Sequence, residues 1–445
     1  MSGRISLLDG KRLATLLAYV LVFLILVFPT VPQLAHLKEF LFAVILVTIG
    51  ITTYNTGHRG LHPTVALWTF SLAALSFLLI LEGFFTGTPG ADKIIGIYII
   101  WPIIYGLVIV GVRNERILLG LIKTALLSTI CIALYSVLYA LTETHILPEN
   151  RFMDFLSFDW KAQQFYLEDG FIHMTFAGVN SLPFLVPFSL AALVTFLPRA
   201  VAALPLRRIW LWTAGSLGLL SVLLSGRRAL FLVILTTPLL TLLFLSFQPM
   251  AQRRLSRKAL VRTMAFGVLA VVVSLACLNA SYGVTLTAAT DRFTLAFDFS
   301  PTTEDTGATE RREQFHALLA GWMENPILGA GHGASAYGSI RSELTPWNYE
   351  LYYMALLYQT GLVGFAAYVL GVIWIYWKGV QVIRDGGWLS ALMVACLVGM
   401  SSFLIANATN PYIAGLDGMW TIFFPLALIN FWLLRRALPQ TFVSS

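Results

Sequence analysis

Residues 388–407 of the chain read WLSALMVACLVGMSSFLIAN and contain no charged side chain. A helix of this length rises about 30 Å, which is the thickness of the hydrocarbon core of a bilayer. A stretch so long and so uniformly apolar is typical of a transmembrane helix, because the surface helices of soluble domains have one polar face. The fold class therefore depends on how often such stretches recur along the chain.

The composition of the whole chain resembles that of this stretch. Of the 445 residues, 58% are apolar and 11% are charged, whereas soluble globular domains have about 45–50% and about 25%. A water-soluble core cannot hide such an excess of apolar side chains, which excludes a soluble enzyme. All three cysteines (Cys131, Cys277 and Cys396) lie in apolar stretches, so they predict neither a disulfide framework nor a metal site.

Twelve stretches are long and apolar enough to span a membrane. They are 12–29, 37–53, 64–85, 94–111, 117–141, 176–197, 208–224, 229–247, 261–279, 351–377, 388–407 and 419–436. We therefore predict an all-α polytopic integral membrane protein with about 12 transmembrane helices. Spans 1–9 and an outer loop at 142–175 occupy residues 1–279, a large loop occupies 280–350, and spans 10–12 with a short tail occupy 351–445.

The charges are distributed unevenly over the connections between these spans. With a cytoplasmic N-terminus, the inward side carries 19 of the 29 Lys and Arg residues but only 3 of the 22 Asp and Glu residues. The positive-inside rule predicts this bias, so both termini are expected in the cytoplasm and the large loop in the periplasm. The net charge of +7 thus reports topology, and nucleic acid is not expected as a partner.

Two arginines depart from this rule. Arg227 and Arg228 occupy the short outer turn between spans seven and eight, at the expected membrane surface. They either extend to the interface as isolated cations or bind a phosphate group at headgroup depth. Arginine suits the second role, because its guanidinium stays charged and contacts phosphate oxygens in pairs.

The large loop contains a segment with helical periodicity. Its spacing of three and four predicts a helix from Glu310 to Met323, with an apolar face formed by Phe315, Leu318, Leu319 and Trp322. Arg311 and Arg312 lie on this helix, and at most one of them can share the apolar face. They either form a solvated surface with neighbouring glutamates or bind phosphate.

Two side chains near the end of the large loop have the chemistry of a general base. His332 lies in the glycine-rich stretch 329–333, and an imidazole titrates near neutral pH. Glu350 begins span ten, where partial burial would favour proton uptake by a carboxylate. Each also has a purely structural explanation, as a turn residue and as an acid at a helix start.

Other kinds of site are not indicated. The glycines allow backbone amides to approach an anion, but without a Walker lysine they do not predict a nucleotide site. No His or carboxylate set has ligand spacing, so neither a metal nor another cofactor is expected. Charged residues are almost absent from the spans, whereas ion-coupled transporters carry several.

Three segments together resemble the O-antigen ligase and polymerase superfamily, the Wzy/WaaL group of bacterial envelope glycosyltransferases. The first is LSGRRAL at 224–230. The second begins with Arg311-Arg312 and continues as WMENPILGAG at 322–331. The third is WNYEL at 347–351, followed by QTGLVGF at 359–365.

The resemblance implies a fold, a location and a reaction. A large periplasmic loop covers a helical bundle in the bacterial inner membrane, and the donor is a glycan on undecaprenyl pyrophosphate. The sugar passes to the hydroxyl of a glycan acceptor without a metal, and a chain-length regulator protein is a further expected partner. By this match, pyrophosphate binding falls to Arg227 or Arg228 and to Arg311 or Arg312.

One position departs from the pattern of the ligases. They have a His-Asn pair at the start of the third segment, where this chain has Trp347-Asn348. Either His332 or Glu350 would then supply the catalytic group. The missing histidine favours a polymerase that joins lipid-linked repeat units. The alternatives are a ligase that transfers polymer to lipid A-core and, from another class, a flippase or exporter of lipid-linked glycans.

Overall fold

The fold is described from a computed structural model. It describes residues 2–28, 34–56, 60–112, 114–143, 145–148, 164–168, 171–176, 178–196, 208–282, 306–338, 343, 345–415 and 418–437. Within these ranges the chain is almost entirely helical. Two further arginines of the predicted large loop, Arg292 and Arg341, lie outside the described residues.

We number fourteen α-helices in this part of the chain. They are α1 Ser2–Val27, α2 Ala35–Thr56, α3 Pro63–Phe85, α4 Ala91–Ile95, α5 Trp101–Gly111, α6 Glu115–Glu143, α7 Leu182–Phe196, α8 Arg208–Ser225, α9 Arg228–Leu245, α10 Met250–Tyr282, α11 Thr306–Glu324, α12 Tyr352–Arg384, α13 Gly387–Ala406 and α14 Trp420–Ala437. A π-helical segment, Gly96–Ile100, joins α4 to α5. A short 3₁₀-helix, Val179–Ser181, precedes α7.

The helices match the predicted spans in position. Each of the twelve apolar stretches coincides with a helix, and α4, the π-helical segment and α5 together form one of them. Among the described residues, nine helical segments are long and apolar enough to cross a membrane. This confirms a polytopic helical membrane protein, while the number of twelve spans remains a prediction because α1, α2 and α14 fall outside the nine.

The centre of the bundle is formed by α7 and α13. Every residue of α7 is buried, and α13 is buried along nearly its whole length. A helix that is apolar on all sides belongs in the interior of a bundle. The two helices approach closely at Gly399, where an added Cβ would lie 3.0 Å from the carbonyl oxygen of Phe184. The uncharged stretch at 388–407 is thus the middle of the fold.

The outer loop predicted at 142–175 contains a β-hairpin. Strands β1 (Gln164–Glu168) and β2 (Phe171–Thr175) pair antiparallel, with Gln164 opposite Thr175 and Glu168 opposite Phe171. The prediction of an all-α protein did not include this hairpin. Its second strand ends beside the turn between α8 and α9, as described below.

The helix predicted from Glu310 to Met323 is confirmed as α11. Its contact with α12 differs from the predicted apolar face, because Gln314 and Leu318 are buried whereas Phe315 is exposed. At Gly321 an added Cβ would meet the ring of Tyr358 of α12, so the glycine allows the two helices to approach. The interface between α11 and α12 therefore contains small and polar residues as well as apolar ones.

Candidate active site at the loop end of the bundle

The chain between α11 and α12 packs into a break in α12. At Gly361 the helix has φ 60° and ψ −172°, and the amides of Leu362 and Val363 lose their usual partners. The carbonyls of Pro326 and Ile327 accept hydrogen bonds from these two amides at 2.9 and 3.1 Å. An added Cβ at Gly361 would collide with the carbonyl of Ile327, so this position requires glycine.

The glycine-rich stretch 329–333 serves the same packing. The Gly333 carbonyl accepts a hydrogen bond from the Gly90 amide at 3.1 Å, and an added Cβ at Gly331 would lie 2.8 Å from the Cα of Gly83. These glycines let the loop lie directly against the C-terminal end of α3 and the start of α4. The glycines thus permit a close approach between two segments of the protein's own backbone.

His332 is enclosed by this packing. Its side chain has 0% exposure, and its Nε2 atom lies 3.1 Å from the hydroxyl of Tyr368. The ring of Tyr98 packs against the imidazole, with ring centroids 4.5 Å apart. Burial lowers the pKa of His332 to about 4, because the enclosed site disfavours the charged form. The imidazole is therefore neutral at neutral pH.

Glu350 lies at the base of the large loop, two residues before α12. Its carboxylate Oε2 is 2.8 Å from Nε of Arg311, and the two side chains are 14% and 33% exposed. The buried Gln314, one turn along α11, accepts a hydrogen bond from the Glu350 amide at 2.9 Å. α11 thus holds both the backbone and the carboxylate of Glu350 in place.

The two arginines of α11 have different surroundings. Arg311 faces α12 and forms the ion pair with Glu350, whereas Arg312 is exposed. Neighbouring residues on a helix point about 100° apart, so only one can reach the start of α12. The sequence alone could not show which of the two arginines contacts Glu350.

Arg227 is held by two other elements, the 3₁₀-helix that precedes α7 and strand β2. Its Nη1 donates to Oδ1 of Asn180 at 3.2 Å, and its Nη2 donates to Oγ1 of Thr175 at 3.4 Å. Both acceptors are neutral, so they orient the guanidinium without neutralising its charge. Arg228 is the first residue of α9 and is also partly buried. Gly226 makes the turn with φ 61°.

An apolar groove of about 660 Å³ begins beneath this turn. α7, α8, α9 and α10 form its walls, and most of its lining residues have apolar side chains. Leu223 and Phe231 line the groove and flank the turn on either side in sequence. A charged group at Arg227 and an apolar chain in the groove would therefore be neighbours.

The sequence did not predict the residues that position Arg227 and Glu350. Asn180, Thr175 and Gln314 are polar residues without a motif, and only the folded chain brings them to Arg227 and Glu350. It also missed that Tyr98 and Tyr368 enclose His332. A signal was present for the tyrosines alone, since polar aromatics inside a span usually have a hydrogen-bond partner.

Comparison with known protein families gives one match. A model of the Wzy_C family, described as O-antigen ligase, matches residues 213–369. The matched region begins in α8 and ends in α12, so it includes Arg227, Arg311, His332 and Glu350. A search of curated proteins gives no match. This match bears out the resemblance of residues 213–369 to the O-antigen ligase and polymerase superfamily that the sequence motifs indicated.

Proposed function

We propose that the protein is a polysaccharide polymerase of the bacterial inner membrane. It would transfer a glycan from undecaprenyl pyrophosphate to a sugar hydroxyl of a second lipid-linked repeat unit on the periplasmic side. The observation that carries this proposal is the Glu350–Arg311 pair, a partly buried carboxylate fixed beside a guanidinium at the base of the large loop.

The donor is amphiphilic, and two neighbouring features suit its two parts. The groove between α7 and α10 offers an apolar surface for the polyprenyl chain. Arg227, oriented by Asn180 and Thr175, lies at the end of this groove and carries a charge that these neutral partners leave available for a diphosphate. Arg311 is the second arginine that we assign to the diphosphate.

The reaction has a simple balance. The bond between sugar C1 and the diphosphate oxygen breaks, and a bond between C1 and the acceptor oxygen forms. The acceptor proton passes to a carboxylate oxygen of Glu350, which acts as the general base. The diphosphate departs with the bonding electron pair, and fixed guanidinium groups stabilise its charge. Product release then returns the proton of Glu350 to water.

We assign the role of general base to Glu350 and a positioning role to His332. Glu350 retains some exposure at the base of the loop, whereas His332 has none and contacts Tyr98 and Tyr368. A base must reach the proton that it removes, within hydrogen-bond distance or through one water. By this assignment His332 anchors the 329–333 stretch between α3 and α12.

A ligase is the second candidate, because the matching family is described by that activity. Against it, Trp347 occupies the position at which ligases have histidine. The two candidates differ in their product. A polymerase lengthens the lipid-linked glycan, whereas a ligase moves a finished polymer to lipid A-core.

The banding pattern of cell-surface polysaccharide from a deletion strain tests the proposal. Loss of the polymerase is expected to leave single repeat units on the acceptor. A strain in which polymer of normal length accumulates on the lipid carrier would instead identify a ligase. Polymer of normal length on the acceptor would exclude both, and transport of unextended repeat units by the purified protein in vesicles would identify an exporter.

A further inference from the structure

A second cavity lies at the loop end of the bundle. It has a volume of about 540 Å³, within the roughly 300–1,000 Å³ of typical small-molecule sites. Its walls are α4, the π-helical segment, residues 345–349 and the first two turns of α12. The reaction proposed above places no substrate group in it.

The lining combines aromatic and polar side chains. Trp347 packs its indole against Gly90, where an added Cβ would collide with the ring, and the indole keeps part of its surface exposed. Tyr98 and Tyr352 contribute a pair of hydroxyls 2.6 Å apart. Asp92 is a further lining residue and is solvent-exposed.

Asn348 supplies an unused hydrogen-bond acceptor. It lines the cavity, and its Oδ1 atom is buried without a hydrogen-bond partner among the residues that the structure describes. Native proteins pair nearly all their buried polar atoms, so an exception needs an explanation. Because Asn348 lines the cavity, a rotation of its side-chain amide would bring this oxygen to a hydroxyl group of a bound molecule.

The backbone beside the cavity is also unusual. The π-helical segment Gly96–Ile100 lines one wall. Such segments are rare and occur frequently at functional sites, because the wider turn changes which side chains face a pocket. Four independent features, namely volume, aromatic lining, an unpaired acceptor and irregular backbone, therefore meet in one place.

We propose that this cavity binds the sugar of the acceptor that carries the attacking hydroxyl. The proposal rests on the proposed function and deepens it. Pyranose rings have an apolar face of C–H groups that stacks on an indole, and their hydroxyls need acceptors such as Asn348 and Asp92. Glu350 itself does not line the cavity, but Tyr349 and Tyr352 on either side of it in sequence do, so the cavity adjoins the segment that carries the general base.

The acceptor site is thereby separated from the donor site. The donor occupies the groove below Arg227, on α7 to α10, whereas the acceptor occupies the cavity between α4 and α12. The proposal requires the reacting groups of the two substrates to meet at Glu350 and Arg311.

The experiment uses a probe that can accept a glycan but, without its lipid diphosphate, cannot donate one. The repeat-unit oligosaccharide is released from the lipid carrier of the host strain by mild acid, and its binding to the full-length protein in nanodiscs is followed by saturation-transfer NMR. For Trp347→Ala we expect binding at least about tenfold weaker, since the stacking surface is lost. Trp347→Phe keeps an aromatic face and should restore most of the affinity.

Two further variants complete the test. Asn348→Ala removes one hydrogen bond and should weaken binding by about three- to tenfold. Tyr337→Ala is the matched control, because this aromatic residue belongs to the same loop, is fully exposed and does not line the cavity. Its affinity should equal that of the wild type.

The outcomes separate this proposal from the proposed function. Unchanged affinity in both Trp347→Ala and Asn348→Ala would overturn the acceptor site even if the protein extends lipid-linked glycans. Binding of undecaprenyl phosphate instead of the oligosaccharide, lost in Trp347→Ala, would identify a lipid site and also overturn it. Oligosaccharide binding that depends on Trp347, without any glycan transfer, would support the sugar site and contradict the polymerase.

Discussion

The contact between α7 and α13 at the centre of the bundle differs in kind from the contacts at the loop end. In the centre, α7 and α13 pack through apolar surfaces, and a hydroxyl such as that of Ser189 bonds within its own helix, to the carbonyl of Leu185. At the loop end the polar contacts join separate elements, as Arg311 joins α11 to Glu350 and Asn180 joins Arg227 to the start of α7. The centre therefore stabilises the fold, while the loop end positions charged groups.

The largest effect is expected at Glu350. Glu350→Gln keeps the size of the side chain but removes its capacity to accept a proton, and a general base contributes about 10²- to 10⁴-fold to a rate. Turnover of lipid-linked glycan by purified protein should fall by about that factor, while thermal stability in detergent changes little. Wild-type turnover in Glu350→Gln would remove this residue from the chemistry.

The arginines should show the next largest effect and a clear asymmetry. Charged hydrogen bonds contribute about 1.5–3 kcal/mol, so Arg227→Ala and Arg311→Ala should each lower turnover by about 10- to 100-fold. Arg312→Ala is the matched control, because Arg312 is exposed beside Arg311. A loss in Arg312→Ala as large as in Arg311→Ala would contradict the assignment.

A substitution in the centre of the bundle should lower stability and leave turnover unchanged. Gly399→Val introduces side-chain atoms where α7 and α13 are in close contact, and overpacking of this kind costs about 1–3 kcal/mol. The thermal midpoint in detergent should fall, whereas the turnover of the protein that remains folded should not change. A selective loss of turnover at unchanged stability would show that the centre takes part in the chemistry.

A further effect is a pH dependence of stability that His332 causes. Burial lowers the pKa of His332 to about 4 in the folded protein, below the ordinary value of 6.5. The unfolded chain therefore binds more protons between these two values, and stability should decrease as the pH falls through this range. The thermal midpoint from pH 7 to pH 4, compared with that of His332→Gln, measures this contribution. Equal slopes in both proteins would contradict it.

The sequence predicted the centre better than the loop end, for a physical reason. Hydropathy is a local property, so the stretch 388–407 and the other spans were located from composition alone. The α11 helix was located in the same way, from its apolar spacing. Its orientation was not, because the close packing at Gly321 and the hydrogen bond of Gln314 depend on α12.

The candidate site was predicted only as a set of residue types. Arginines on the outer side stood out against the charge bias, but their separation into Arg311, paired with Glu350, and the exposed Arg312 required the fold. His332 was equally a base or a turn residue in sequence, and its enclosure by Tyr98 and Tyr368 arises from contacts of distant elements. Such contacts leave no periodic signal in a single sequence.

Reconstitution with lipid-linked repeat units tests the central claim most directly. Wild-type protein, Glu350→Gln and Arg312→Ala are incorporated into nanodiscs and supplied with repeat units extracted from the host membrane, and the products are resolved by size. We predict a ladder of lengthened glycans for the wild type and for Arg312→Ala, and unextended units for Glu350→Gln. A ladder of the same length and rate in Glu350→Gln, or no extension by the wild type, would contradict the account.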